Sequence, residues 1–227
     1  MVKISQLQIT LFEYLYAQIL SLNISHPIRI GIDGVDGSGK TNFADSLADY
    51  IHSKGRHVIR SSTDHFHNPR ETRYQLGKSS PEGFFKDSFN LNKIKEYVLD
   101  PLSQNGSLYY KTAHFDHRTD GKVDCPTLKA SNDSILIFDG IFIHRDELVD
   151  YWDYSIFLDV SFSTTFSRMS VRDRCPINPE DPLNQRYLKG QEIYLSQCSP
   201  MQRASVVIDN EDWANPKIKE LKENPLA

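Results

Sequence analysis

The chain has 227 residues and a net charge of −4, a length that suits one substantial core. It has no long Lys/Arg run, which excludes a general binder of nucleic acid or anionic membrane, because affinity for such polyanions comes from clustered cations. The three cysteines, Cys125, Cys175 and Cys198, form no Cys-x-x-Cys pair and read as free thiols in a reducing, cytoplasmic compartment.

The first predicted element is a helix within residues 1–25, with Ile4, Leu7, Leu11, Leu15, Ile19 and Leu22 at close to helical spacing. Gln6, Gln8, Glu13 and Gln18 interrupt it. It therefore lacks the unbroken apolar run of a signal peptide or a membrane span and is expected to pack on the outside of a domain covering residues 26–212. His26-Pro27 breaks the pattern, and Ile28 to Ile32 reads as a strand. A glycine-rich loop follows, then a helix from Lys40 with Phe43, Ala44, Leu47, Ala48 and Ile51 on one face, stopped by Gly55.

Val58-Ile59 opens a second strand that ends in polar residues at Asp64. Ile135–Phe138, Ile156–Val160 and Val206–Ile208 are further short apolar runs rich in branched residues. Such strands, separated by helical stretches at Leu91–Leu99, Ser163–Val171 and Leu183–Leu195, predict an α/β fold of three layers with a mostly parallel sheet of about five strands. The polar, turn-rich stretch from Tyr109 to Val123 predicts a small lobe or hairpin within residues 65–125, and residues 213–227 a tail or helix. Ligands collect at the carboxyl ends of parallel strands, so the glycine-rich loop, Asp64 and Asp139 are expected on one edge.

Gly34-Val35-Asp36-Gly37-Ser38-Gly39-Lys40-Thr41 fits G-x-x-x-x-G-K-[ST] without mismatch, a pattern that arises by chance in about one chain of this length in a hundred. Glycines let successive N–H groups turn toward phosphate oxygens, and the following helix presents its positive end to the same anion. Lys40 would bridge the terminal phosphates and the Thr41 hydroxyl would ligate Mg²⁺. The signal is for a nucleoside triphosphate.

Behind the loop, "TDHFHNPR" (63–70), "SPEGFF" (80–85), "FDHRTD" (115–120), "ILIFDGIF" (135–142) and "RMSVRDR" (168–174) follow in order. Together, from about Ile28 to Asn210, they resemble the uridine kinase family of P-loop kinases, a group related to phosphoribulokinase and one type of pantothenate kinase. The resemblance implies ATP with Mg²⁺ and transfer of the γ-phosphoryl group to a primary hydroxyl, the 5′-OH of uridine or cytidine. It makes Asp64 the general base or a metal-linked carboxylate at that hydroxyl, a helix-cap role being the alternative. Asp139, where the family commonly has glutamate, becomes a metal-site residue. A carboxylate that short suits contact with Mg²⁺ through water, and the alternative is a turn aspartate before Gly140.

Arg168 and Arg172 lie on one face of a predicted helix and Arg174 near its end. The resemblance places them in a lid over residues 163–190 that brings guanidinium groups to the phosphates and excludes water. Asp173 among them leaves a plain surface salt-bridge network as the other reading.

The acceptor pocket is expected among Arg70, Phe84, Tyr110, His114, His117 and Arg118, with aromatic rings to sandwich a base and His or Arg to read its carbonyl edges. Tyr110 and His117 are the nearest matches to the family's tyrosine and histidine, and His114 competes. His65, His67, His114 and His117 also raise a zinc site, but no cysteine lies at a convincing spacing. Gln185, Arg186 and Gln191 on the next predicted helix either touch the acceptor or form a solvated face.

One departure bears on the acceptor. The family's Phe-Asp-His-Pro reads Lys78-Ser79-Ser80-Pro81 here, so Ser79 replaces the aspartate that holds the ribose hydroxyls. The loss weakens ribose binding by roughly 1.5–3 kcal/mol unless Glu82 or Asp87 substitutes. The expected partner is thus a small hydroxyl acceptor, a nucleoside first and pantothenate or a sugar derivative second. No nucleic-acid or membrane partner is expected, and a homo-oligomer stays open. A nucleotide-dependent switch is the rival from another class, but no Asn-Lys-x-Asp guanine motif is present.

Overall fold

The computed structural model describes residues 5–222, so Ile4 and the last five residues of the expected C-terminal segment lie outside it. Four parallel strands make up most of the sheet: β1 (Ile28–Gly34), β2 (Val58–Ser62), β3 (Ile135–Asp139) and β4 (Tyr154–Asp159). A fifth, β5 (Val206–Asp209), continues it in parallel, and β6 (Lys217–Leu221) closes the edge antiparallel, giving the order β6-β5-β4-β1-β3-β2.

β6 is the sixth strand of the mostly parallel sheet and corrects one expectation: residues 217–221 are strand, neither tail nor helix. Every residue of β6 is exposed, so it has no buried alternation from which a strand could be read. Its backbone pairing with β5 holds it in place.

The longer helices are α1 (Gln6–Leu20), α2 (Lys40–Ser53), α3 (Pro81–Asp87), α4 (Phe162–Asp173) and α5 (Gln185–Cys198). On one face of the sheet, α1 packs Leu11, Phe12, Leu15 and Ile19 against Phe43, Leu47 and Ile51 of α2 and Ile30 and Ile32 of β1. Ser5 caps α1 through a reciprocal box with Gln8. On the other face, Phe84 and Phe85 of α3 and Tyr194 of α5 pack with Leu136, Phe138 and Phe142. Each central strand is covered on both sides, which is why it reads as a continuous apolar run.

The polar stretch after Leu108 folds as two short antiparallel ladders, Tyr109–Tyr110 with Leu128–Lys129 and Phe115–Asp116 with Gly121–Lys122. Among the described residues no helix is long and apolar enough to cross a membrane.

Candidate active site

β1 runs straight into the glycine-rich loop. Gly37 and Gly39 adopt φ of 76° and 92°, the left-handed region that favours glycine. A Cβ on Gly37 would also lie 2.6 Å from the Thr165 carbonyl oxygen, so glycine is required there by space as well. Beyond the loop, the amides of Gly37, Gly39, Lys40 and Thr41 donate to no protein carbonyl among the described residues, the orphan donors of a helix start. Lys40 Nζ crosses the loop to the Val35 carbonyl oxygen at 2.9 Å, and the buried Ser38 Oγ has no partner.

At the foot of the loop, Thr41 Oγ1 donates to Asp139 Oδ2 at 2.9 Å, and Asp139 is almost fully buried. Its other oxygen accepts from Arg60 Nη2, also at 2.9 Å. This donor set fits a nucleoside triphosphate and a divalent cation: free amides and a lysine for the phosphates, a hydroxyl and a carboxylate for the metal. Thr41 and Asp139, distant in sequence, come together because β1 and β3 are neighbours in register.

Asp64 lies in a single 3-10 turn, Thr63–Phe66, after β2 and is exposed. Its amide donates to the N-capping Ser62 Oγ at 3.3 Å, while its carboxylate charge reaches Asp36, His67 and Arg172. Burial raises the Asp36 carboxyl above its ordinary value, Lys40 opposes the rise and Asp64 adds to it. Lys40, Asp36, Asp64 and Arg172 thus share one field at the edge of the sheet.

The three arginines expected in a lid separate. Arg172 of α4 bonds Asp173 through Nε and Nη2, which raises its guanidinium pKa with help from Asp36 and Asp64. Arg168 faces the back of the loop instead. Its Nη1 reaches the Gly37 and Ser38 carbonyls at 3.3 and 3.4 Å, and its Nη2 those of Asn210 and Glu211 at 3.0 and 2.8 Å. Its two Nη atoms thus meet peptide oxygens. Arg174 is exposed and ends α4 in a left-handed conformation, φ 60°.

The expected acceptor residues also divide. Phe84 and Tyr110 belong to the hydrophobic core, and burial raises the Tyr110 hydroxyl pKa. They shape the lobe from inside. His117 stacks on His67, ring centroids 4.6 Å apart, and His67 on Phe89 at 4.7 Å. His114 lies edge-on to Tyr97. The Arg70 amide bonds Asp120, and Arg118 is exposed. Among the described residues no group of three or more His, Cys, Asp or Glu side chains is placed to hold a metal ion.

Gln191 lies against the phosphate loop: its Oε1 accepts the Asp36 amide at 2.5 Å. Arg186, on the same helix, donates to the carbonyls of Arg73, Gly77 and Ser80 and stacks over Tyr74 and Phe84. It therefore holds the segment that contains Ser79. Asp87 Oδ2 and Arg73 Nε are buried beside it without partners among the described residues. Glu82 pairs with Lys86 at 2.6 Å, leaving Asp87 as the carboxylate with an unused oxygen.

Sequence reading missed Asp33, Arg60 and His144. A charged residue inside an otherwise apolar strand was the available signal for the first two, because burial of charge is tolerated only when paired. His144 carried no such signal.

A parallel sheet whose first strand enters a glycine-rich loop, with lysine, threonine and a buried aspartate at its foot, defines a P-loop phosphotransferase. The chain belongs to the phosphoribulokinase/uridine kinase family, whose model matches residues 29–176, and it transfers a phosphoryl group to a hydroxyl. A uridine kinase of Lactobacillus helveticus is 25% identical over 155 residues, 66% of this chain and 69% of that protein. One of Lactobacillus johnsonii is 24% identical over 195 residues, 83% and 89%. Among solved structures, a protein described as a possible uridine kinase from Bacillus stearothermophilus superposes with a TM-score of 0.68 at 23% identity, covering 86% of this chain and 96% of that one. The phosphoribulokinase of Rhodobacter spheroides gives 0.57 at 15%, covering 82% and 70%.

Proposed function

We propose that the chain is an ATP-dependent nucleoside kinase that phosphorylates the 5′-hydroxyl of uridine or cytidine. The observation that carries the reading is the Thr41–Asp139 contact beneath a loop in which the amides of Gly37, Gly39, Lys40 and Thr41 donate to no protein carbonyl among the described residues. Gly34 to Thr41 cradle the triphosphate. A cavity of about 740 Å³ beside the loop, lined by Gly39, Phe43, Arg168, Met169, Asn210 and Trp213 among others, has room for the base and ribose of ATP.

Mg²⁺ bound at Thr41 and Asp139 would neutralise charge on the phosphoryl oxygens. Lys40 leaves the Val35 carbonyl for the phosphates. Asp64, exposed on the same edge, is placed to orient the acceptor hydroxyl and take its proton as the oxygen attacks phosphorus. Arg172 adds positive charge from the lid, where closure excludes water. The acceptor lies between the His67–His117 stack and the segment held by Arg186. Asp87, with its unpartnered oxygen, is the carboxylate available to a ribose diol where Ser79 stands.

The second reading, a kinase for another small alcohol, rests on Ser79, which is exposed and has no charge for a diol. The experiment is to incubate the protein with Mg²⁺ and ATP alone, then with uridine, cytidine, pantothenate and a sugar panel, identifying products by mass spectrometry. UMP or CMP supports the nucleoside reading. ADP and a different phosphorylated alcohol moves the acceptor, and no transfer to any of them overturns both.

A further inference from the structure

Arg60 has no place in the chemistry above, yet it touches the carboxylate at the foot of the loop. β2 alternates in burial, with Ile59 and Ser61 inside, so Arg60 points to the opposite face, under α2. There its guanidinium meets two carboxylates. Nη2 lies 2.9 Å from Asp139 Oδ1 and 2.8 Å from Asp45 Oδ1, and Nε lies 3.0 Å from the same Asp45 oxygen. Nη1 is fixed on the Ile137 carbonyl at 2.7 Å.

Asp45 stands one turn beyond Thr41 on α2, so the two occupy one helix face. The result is a continuous chain from Thr41 through Asp139 and Arg60 to Asp45. Both oxygens of Asp139 are engaged, one by the hydroxyl and one by a cation.

We propose that Arg60 is a positioning residue that fixes Asp139 and, by neutralising it, lowers the affinity of the Thr41–Asp139 site for a divalent cation. This rests on the nucleotide reading above and deepens it. A buried carboxylate already paired with a guanidinium gains less from a second cation than an unpaired one, and the fixed positive charge repels that cation directly. The consequence is a metal that leaves readily with the product diphosphate, so that turnover is not held back by a tightly kept metal.

Mn²⁺ binding to the full-length protein saturated with ADP, followed by the electron paramagnetic resonance of free Mn²⁺, tests this without turnover. Arg60→Gln is expected to bind Mn²⁺ roughly fivefold tighter or more, while Arg60→Lys, which keeps the charge, stays near wild type. A gain in affinity is not what general loosening of the fold produces. Equal or weaker binding by Arg60→Gln overturns the proposal while leaving the nucleotide reading intact. If that variant does not fold, Asp45→Asn carries the test: freed of Asp45, the guanidinium acts on Asp139 alone. Weaker Mn²⁺ binding then supports the proposal and equal or tighter binding overturns it. A wild-type protein that binds neither ADP nor Mn²⁺–ADP removes the nucleotide reading, and this inference with it.

Discussion

The Tyr194 hydroxyl donates to Asp33 Oδ2, joining helix α5 to the last turn of strand before the phosphate loop. The same oxygen accepts from His144 Nδ1 at 2.6 Å, and Asp33 Oδ1 accepts the Gly34 amide at 2.7 Å. Asp33 and His144 are fully buried. One carboxylate therefore ties the loop to the segment after β3 and to the helix that carries Gln191 and Arg186. Tyr194→Phe keeps the ring packed against Phe85 and Phe142 and removes only the hydroxyl. We expect a loss of about 1–3 kcal/mol in urea unfolding. Asp33→Ala, which strands the buried histidine, should cost about 3–5 kcal/mol. Stability unchanged in either variant would show that the network is not under load.

Asp64 and Lys40 separate binding from transfer. Asp64→Asn is expected to abolish phosphoryl transfer while ATP affinity, read by calorimetry, stays near wild type. Lys40→Ala should weaken both, because the ammonium meets the phosphates in ground and transition states alike. Wild-type turnover by Asp64→Asn would remove it from the general-base role.

Arg168 and Arg172 should respond differently. Arg168→Ala removes a clamp on four carbonyls, two of them in the phosphate loop. Its expected signature is lower stability and weaker ATP binding. Arg172→Ala has no such clamp to lose, and should lower kcat by roughly tenfold or more with little change in melting temperature. Matching stability losses in the two variants would contradict this division.

His67 and His114 give the fold an acid-sensitive side. Burial lowers both pKa values from the ordinary 6.5, and nearby positive groups add to the effect, Lys93 and Lys122 at His114. Just below pH 6.5 the unfolded chain takes up protons that the native histidines refuse, so stability rises with pH through that window and falls as acid is added. The Asp36 carboxyl, raised above 3.8, works in the opposite direction at lower pH. The urea midpoint should therefore drop between about pH 7.5 and pH 5.5, and His67→Gln should flatten the slope. A slope unaltered in that variant would assign the sensitivity elsewhere.

Much of the fold was legible because the central strands are buried on both faces. Ile135–Phe138 and Ile156–Val160 are continuous apolar runs for that reason, and the motif Gly34–Thr41 sits where a strand must turn into a helix. β6 was illegible because it buries none of its side chains and is held by backbone pairing and one exposed Lys219–Asp159 ion pair. The helix at Leu91–Leu99 was read correctly in extent, but its second half, Lys95–Leu99, is a π-turn, a hydrogen-bond shift with no mark in side-chain periodicity.

The site divides along the same line. By itself the sequence determined which chemistry the chain carries, since a phosphate loop works through backbone amides, a lysine and a hydroxyl whose spacing along the chain is local. Only the tertiary structure decided which side chains share that space. It set Gln191 on the loop and Phe84 and Tyr110 in the core. It turned Arg168 to peptide oxygens, left Arg172 in the field of Asp36 and Asp64, and joined Arg60 to Asp139. Those assignments depend on strand order and on which face of a helix meets the sheet. Residues such as Asp139 and Thr41, distant along the chain, become partners only when β3 lies beside β1.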